Sequence, residues 1–228
     1  MRVSRYGFIV AFCLSVCVAQ ASTSFSFTGT FTVDDQIELF QFTSPSTSVT
    51  LETFGYGGGV NAAGTTIDPG GFAPVLSLFD ATGGLTGASP LVGEDFAGCS
   101  VGAVNPATGN AFDCLLNLTS LTAGDTYVLA LTEADNSPLG GTYGAGFSEA
   151  GNGNFTDGLY GCGGTAPFCD PNGVNVDTGN WAVDIDGVGA ASDITGGGAV
   201  PEPGSMLLLG AGLTGLALLR RGKRNGGR

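Results

Sequence analysis

Ser24-Phe25-Ser26-Phe27-Thr28-Gly29-Thr30-Phe31-Thr32-Val33 sets its aromatic and aliphatic residues at odd positions and its small polar ones at even positions. A period of two sends successive side chains to opposite faces of a pleated strand, so the stretch reads as a half-buried β-strand with Phe25, Phe27, Phe31 and Val33 on one face. Ile37-Glu38-Leu39-Phe40-Gln41-Phe42 and Val49-Thr50-Leu51-Glu52-Thr53-Phe54 continue the pattern, parted by the turn-prone Thr43-Ser44-Pro45-Ser46. Val75-Leu76-Ser77-Leu78-Phe79 is apolar almost without a break, as expected of a central strand, and Asp80-Ala81-Thr82-Gly83-Gly84 ends it. Further on, Tyr127, Leu129 and Leu131 line one face after Ala123-Gly124-Asp125, and Trp181, Val183 and Ile185 line another. Short strands at turn-limited spacing, with 41 glycines among 228 residues, predict an all-β chain built as a single β-sandwich.

The net charge of −13 is unevenly distributed. Arg2 and Arg5 open the chain, Arg220, Arg221, Lys223, Arg224 and Arg228 close it, no Lys or Arg lies between, and His is absent. A body of this kind repels phosphate backbones and has no cations with which to release counterions, which excludes nucleic acid as a partner. Its carboxylates must be hydrated, hydrogen-bonded or bound to metal cations, because an unpaired charge is costly to bury. Divalent cations are the natural partners, and a merely solvated acidic surface is the alternative.

Both ends read as targeting segments. A basic start, an apolar stretch from Tyr6 to Val18 and the small-residue triplet Ala19-Gln20-Ala21 predict a signal peptide over 1–21, recognised by the secretion translocon and cut after Ala21 by signal peptidase. At the other end, Val200-Pro201-Glu202-Pro203-Gly204 precedes an apolar run from Ser205 to Leu219 and a basic cluster. Prolines fix φ and remove backbone donors, so Pro201 and Pro203 hold an extended segment suited to a protease groove. As a helix, 205–219 would rise about 23 Å, slightly less than a bilayer core of about 30 Å. The basic tail 220–228 should stay cytoplasmic under the positive-inside rule. Taken together, Val200-Pro201-Glu202-Pro203, the short Leu/Gly/Ala helix and the Arg-rich end resemble a PEP-CTERM sorting signal. That resemblance implies a single-pass membrane precursor, cut near Pro201–Pro203 by an exosortase-type membrane protease, with the mature body periplasmic, at the cell surface or extracellular. Residues 22–195 are then the body and 196–204 a Gly/Pro linker.

Loss of the signal peptide removes Cys13 and Cys17 and leaves Cys99, Cys114, Cys162 and Cys169. An even count in an exported chain predicts two disulfides, and proximity favours Cys99 with Cys114 and Cys162 with Cys169. Zinc is disfavoured, since no C-x-x-C pair and no His is present. The body resembles the pre-peptidase-C-like β-sandwich of exported bacterial proteins. The resemblance rests on Phe25 to Phe31, Asp34-Asp35 to Phe42, Tyr56-Gly57-Gly58-Gly59 with Asn61-Ala62-Ala63-Gly64, Gly70 to Asp80 and Gly179-Asn180-Trp181-Ala182-Val183-Asp184-Ile185. The fold expected is a jelly-roll or pre-peptidase-C-like sandwich, and the resemblance carries no catalytic assignment.

Little catalytic chemistry is legible. Ser-His-Asp and Cys-His arrangements are impossible without His, and no Lys is present in the body to pair with a Ser. Asp34-Asp35, Glu94-Asp95 and Asp184 with Asp186 are carboxylate pairs of the kind glycan hydrolysis uses, though such pairs are common in an acidic protein. Asp170, Asn172, Asn175 and Asp177 offer side-chain oxygens around Gly173, the ingredients of a calcium loop without the spacing or terminal Glu of an EF-hand. Tyr56 to Gly59 lacks the Gly-Lys-Ser/Thr of a phosphate loop, and Asn117-Leu118-Thr119 and Asn154-Phe155-Thr156 are chance sequons in a bacterial-type chain. The expectation is a non-enzymatic exported surface or matrix protein, in contact with exopolysaccharide. A calcium- or carbohydrate-binding module and a carboxylate-based glycan hydrolase are the alternatives.

Overall fold

The computed structural model describes residues 23–95, 99–164, 167–195 and 200–201. In chain order the strands are β1 (Thr23–Thr30), β2 (Glu38–Thr43), β3 (Val49–Thr53), β4 (Gly59–Val60), β5 (Thr66–Ile67), β6 (Pro74–Asp80), β7 (Leu91–Asp95), β8 (Leu115–Leu118), β9 (Thr126–Glu133), β10 (Asn180–Val188), β11 (Ala190–Asp193) and β12 (Val200–Pro201). Between β9 and β10 lie a 3-10 turn at Tyr143–Ala145 and one short helix, α1 (Phe155–Tyr160).

The strands form two five-stranded sheets, ordered β12-β1-β10-β3-β8 and β11-β2-β9-β6-β7, with β4 and β5 as a separate hairpin. Every pairing is antiparallel. Without the hairpin and the flanking β11 and β12, the principal strands follow the orders 1-8-3-6 and 2-7-4-5, which is a jelly roll.

The period-two pattern decides what fills the space between the sheets. Phe27, Phe40, Phe42, Leu51, Leu76, Leu78, Leu129, Leu131, Val183 and Ile185 join one buried cluster with Trp181. Burial of each such side chain stabilises by roughly 1.5–3 kcal/mol. β6 is buried along nearly its whole length, as its apolar run predicts, because both of its faces are covered. Its outer face is roofed by the segment after β9, where Tyr143 and Phe147 pack edge-on against Phe79. β1 ends sooner than its alternation suggests. Phe31 still enters the core, but Val33 is 38 % exposed because the chain turns through 32–36 under the grip of Gln36 Oε1, which accepts from Thr32 and Val33 N–H.

Strand alternation sorts the connections into two ends. Connections 31–37, 54–73, 99–114 and 167–179 lie at one end, the loop pole, whereas 44–48, 81–90 and 119–125 close the other. The segment 134–164 leaves β9 at the loop pole but runs over the outer face of β6 to reach the opposite end, where Tyr143 N donates to the Ser89 carbonyl and Gly144 N to the Gly87 carbonyl, both at 2.9 Å. The structure pairs Cys99 with Cys114 and Cys162 with Cys169, the connectivity that proximity favours, and places both bridges at the loop pole. At the sheet edge, Ser26 pairs with Val200 and Phe25 with Pro201, so β12 runs antiparallel to β1, toward the short-loop end where β1 begins.

Candidate functional site

The loop pole collects carboxyl groups from elements far apart in sequence: Asp34 after β1, Asp113 before β8, Glu133 and Asp135 at the end of β9, Asp170 and Asp177 before β10. Of these, Asp34, Asp113, Glu133, Asp170 and Asp177 are buried. The chain has no Lys, Arg or His in this region, so each group must be satisfied by donors, by a shared proton or by a cation.

Asp113 and Asp34 are satisfied by donors. Asp113 Oδ1 accepts from Thr53 Oγ1 at 2.9 Å and Tyr56 N at 3.2 Å, and its Oδ2 accepts from Gly57 N at 2.7 Å. Burial raises its pKa and these donors pull it back. Gly57 is required at this turn, since a Cβ there would lie 1.8 Å from the Ala103 carbonyl oxygen. Asp34 holds the start of α1, its Oδ2 accepting from Thr156 N at 2.8 Å and Thr156 Oγ1 at 2.7 Å, while Oδ1 accepts from Asn154 N. A carboxylate at a helix start also complements the local N–H dipoles, which is why so short a helix persists in a β protein.

Asp170, Asp177 and Glu133 are placed differently. Asp170 Oδ1 accepts from Asn172 N at 2.8 Å and Oδ2 from the Tyr56 hydroxyl at 2.7 Å, and that hydroxyl also meets Thr108 Oγ1 at 2.7 Å. The Asp177 carboxyl is hydrogen-bonded to that of Asp170; burial and this neighbour push its pKa up to about 8. Glu133 is 1 % exposed and its Oε2 has no hydrogen-bond partner. Its pKa is raised well above the usual carboxylate range, first by burial and then by the charges of Asp177, Asp34, Asp135 and Asp170. Asp135, half-buried, accepts from the Tyr160 hydroxyl, whose own pKa is raised by burial and by this carboxylate. An open, largely apolar cavity of about 190 Å³ adjoins the cluster, with Asp135 and Tyr160 on its wall beside Phe112 and Pro171.

The calcium loop read from sequence is thus divided. Asp170 and Asp177 come together, whereas Asn172 serves the local turn, its Oδ1 accepting from Val174 N at 2.8 Å and Asn175 N at 3.1 Å, and Asn175 Nδ2 donates to the Ala107 carbonyl of another connection at 3.4 Å. Glu133 escaped the sequence reading although its signal was present. It has the same parity as the inward-facing Tyr127, Leu129 and Leu131, and an acid at an inward position of a buried strand requires a reason. The carboxylate pairs lie in different places, Asp184 and Asp186 facing Glu52 across the β10–β3 pairing. Asp35 Oδ2 accepts from Gly151 N at 3.0 Å, Asp95 Oδ2 from Leu115 N at 3.2 Å, and Asp184 Oδ2 from Ala62 N at 2.7 Å on the outer face of the β1-β10-β3 sheet. Among the described residues, one group of Cys and acidic ligand atoms lies mutually within 4.8 Å, Asp95 with Cys99 and Cys114, and its sulfurs are already bonded to each other. Of the sorting residues, Val200 and Pro201 form β12; Glu202, Pro203, the apolar run 205–219 and the cleavage residues Ala19 and Ala21 lie outside the described residues. Among the described residues no helix is long and apolar enough to cross a membrane.

Residues 199–222 match the PEP-CTERM protein-sorting motif, which marks an exported protein handled by an exosortase and held in the membrane before processing. No curated protein matches the chain.

Proposed function

We propose that the protein is a non-enzymatic component of the cell surface or extracellular matrix, structural or adhesive in role, whose body is freed or transferred when an exosortase-type protease cuts the tail near Pro201–Pro203. The observation that carries this reading is the sorting motif at 199–222 following a disulfide-stapled sandwich. The absence of His from the chain and the engagement of the four body cysteines in disulfides support a role without nucleophilic catalysis. The carboxylates also favour it, since Asp34, Asp113 and Asp184 are engaged by backbone N–H groups. A glycan hydrolase instead needs two carboxyls facing each other across a sugar-wide opening. An acidic surface free of Lys and Arg would remain hydrated within exopolysaccharide, the matrix partner this reading favours.

Mass spectrometry of the mature protein from its native host tests the reading. The expected product begins after Ala21, ends near Pro201–Pro203, contains both disulfides and fractionates with the surface or matrix. Recovery of an uncut tail would replace sorting with permanent anchoring, and turnover of glycan substrates by the purified protein would overturn the non-enzymatic assignment.

A further inference from the structure

We infer that the loop pole binds a divalent cation of the calcium type, held by Glu133 together with Asp170 and Asp177. The case rests on what a buried carboxyl group requires. Glu133 Oε2 is sealed from solvent and unpartnered, and Asp170 and Asp177 are 0 % and 8 % exposed beside it, with Asp34 and Asp135 adding negative potential. Ionised, the three groups repel one another in a medium that weakens charge poorly. Protonated, Glu133 still leaves its buried Oε2 without a hydrogen-bond partner, and that also costs free energy. A cation removes both penalties at once, since it neutralises the charges and coordinates the unpartnered oxygen.

The donor set selects the cation. Every available side-chain donor here is a hard oxygen, with neither imidazole nor free thiolate in the body, which favours Ca²⁺ over Zn²⁺ or copper. The oxygens do not form a rigid small cage, because no three acidic residues of the cluster have ligand atoms mutually within 4.8 Å. Binding must draw the side chains inward, and the larger ion with variable coordination tolerates this better than Mg²⁺, which demands near-ideal octahedral geometry. The cation would tie the ends of β9 and β10 to the turn held by Tyr56, whose hydroxyl already anchors Asp170. This inference concerns the body and is independent of how the tail is processed.

The test uses the full chain, exported into an oxidising compartment and purified in detergent after chelation. Calcium chloride at 10 mM should raise Tm by about 3–10 °C, from an extracellular-module affinity of about 0.1–1 mM. Magnesium should give less than half that shift, and sodium chloride of equal ionic strength almost none. Glu133→Gln preserves shape and should abolish the calcium shift, whereas Asp125→Asn at the opposite end should retain it. If the Gln variant fails to fold, terbium luminescence excited through Tyr56 and Tyr160 in the unaltered chain decides, with one ion per chain displaced by calcium as the supporting result. No calcium shift, an equal shift with sodium, an undiminished shift in folded Glu133→Gln, or no saturable terbium signal would each overturn the inference.

Discussion

Gly29 shows how much one missing side chain can decide. It stands opposite Trp181 in the β1–β10 register, and a Cβ there would meet the indole Cζ2 at 2.2 Å. Gly29→Ala should therefore displace a buried ring and cost about 1–3 kcal/mol, read as a lower denaturant midpoint with an unchanged m-value. Asp34→Ala removes the acceptor for two N–H groups and a hydroxyl, and should cost about 2–4 kcal/mol, with amide exchange in α1 rising before that of the sheets. The acid cluster sets a pH dependence. Asp177 is faced by Asp170 and, within the same cluster, by Glu133, Asp34 and Asp135, and its pKa moves from 3.8 to about 8 on folding. A carboxyl with a raised folded-state pKa binds more protons folded than unfolded, so its stabilising contribution is complete below about pH 4 and is lost as pH climbs to about 8. With chelator present, Tm should fall steadily from pH 5 to pH 8; a flat or rising profile would contradict the burial of these groups.

The strands were legible because each needs only local alternation, and the structure places Leu129, Leu131, Val183 and Ile185 where their parity puts them. What escaped was whatever depends on a distant partner. α1 has no amphipathic length of its own and exists because Asp34, about 120 residues earlier, accepts from its first turn. Glu133 is a buried acid on an inward position of β9, while Asn172 caps a local turn and Asn175 reaches across to the Ala107 carbonyl. The connections at the loop pole are long and have little regular secondary structure, so cross-links should matter there. Opening Cys99–Cys114, with a separation of 15 residues, should cost about 3 kcal/mol, and opening Cys162–Cys169, with a separation of 7, about 2.4 kcal/mol. Cys→Ser pairs compared by chemical denaturation check both the values and their order.

At the scale of the whole molecule, the buried carboxyl groups Asp34, Asp113, Glu133, Asp170 and Asp177 gather at one end of the two sheets. The short-loop end receives the start of β1 and the direction in which β12 leaves, and the loop pole lies at the other end of both sheets. Tags inserted in the exposed turns at 122–124 and 149–153 should therefore differ in the membrane-held precursor, the second being labelled faster by a bulky reagent. Equal labelling would show that β12 does not fix the body's attitude to the bilayer. The pairing of β12 with β1 thus does more than finish a sheet edge. Because β1 begins and β12 ends on the same side of one sheet, the two termini of the described body share a rim, and its anionic crown lies at the other.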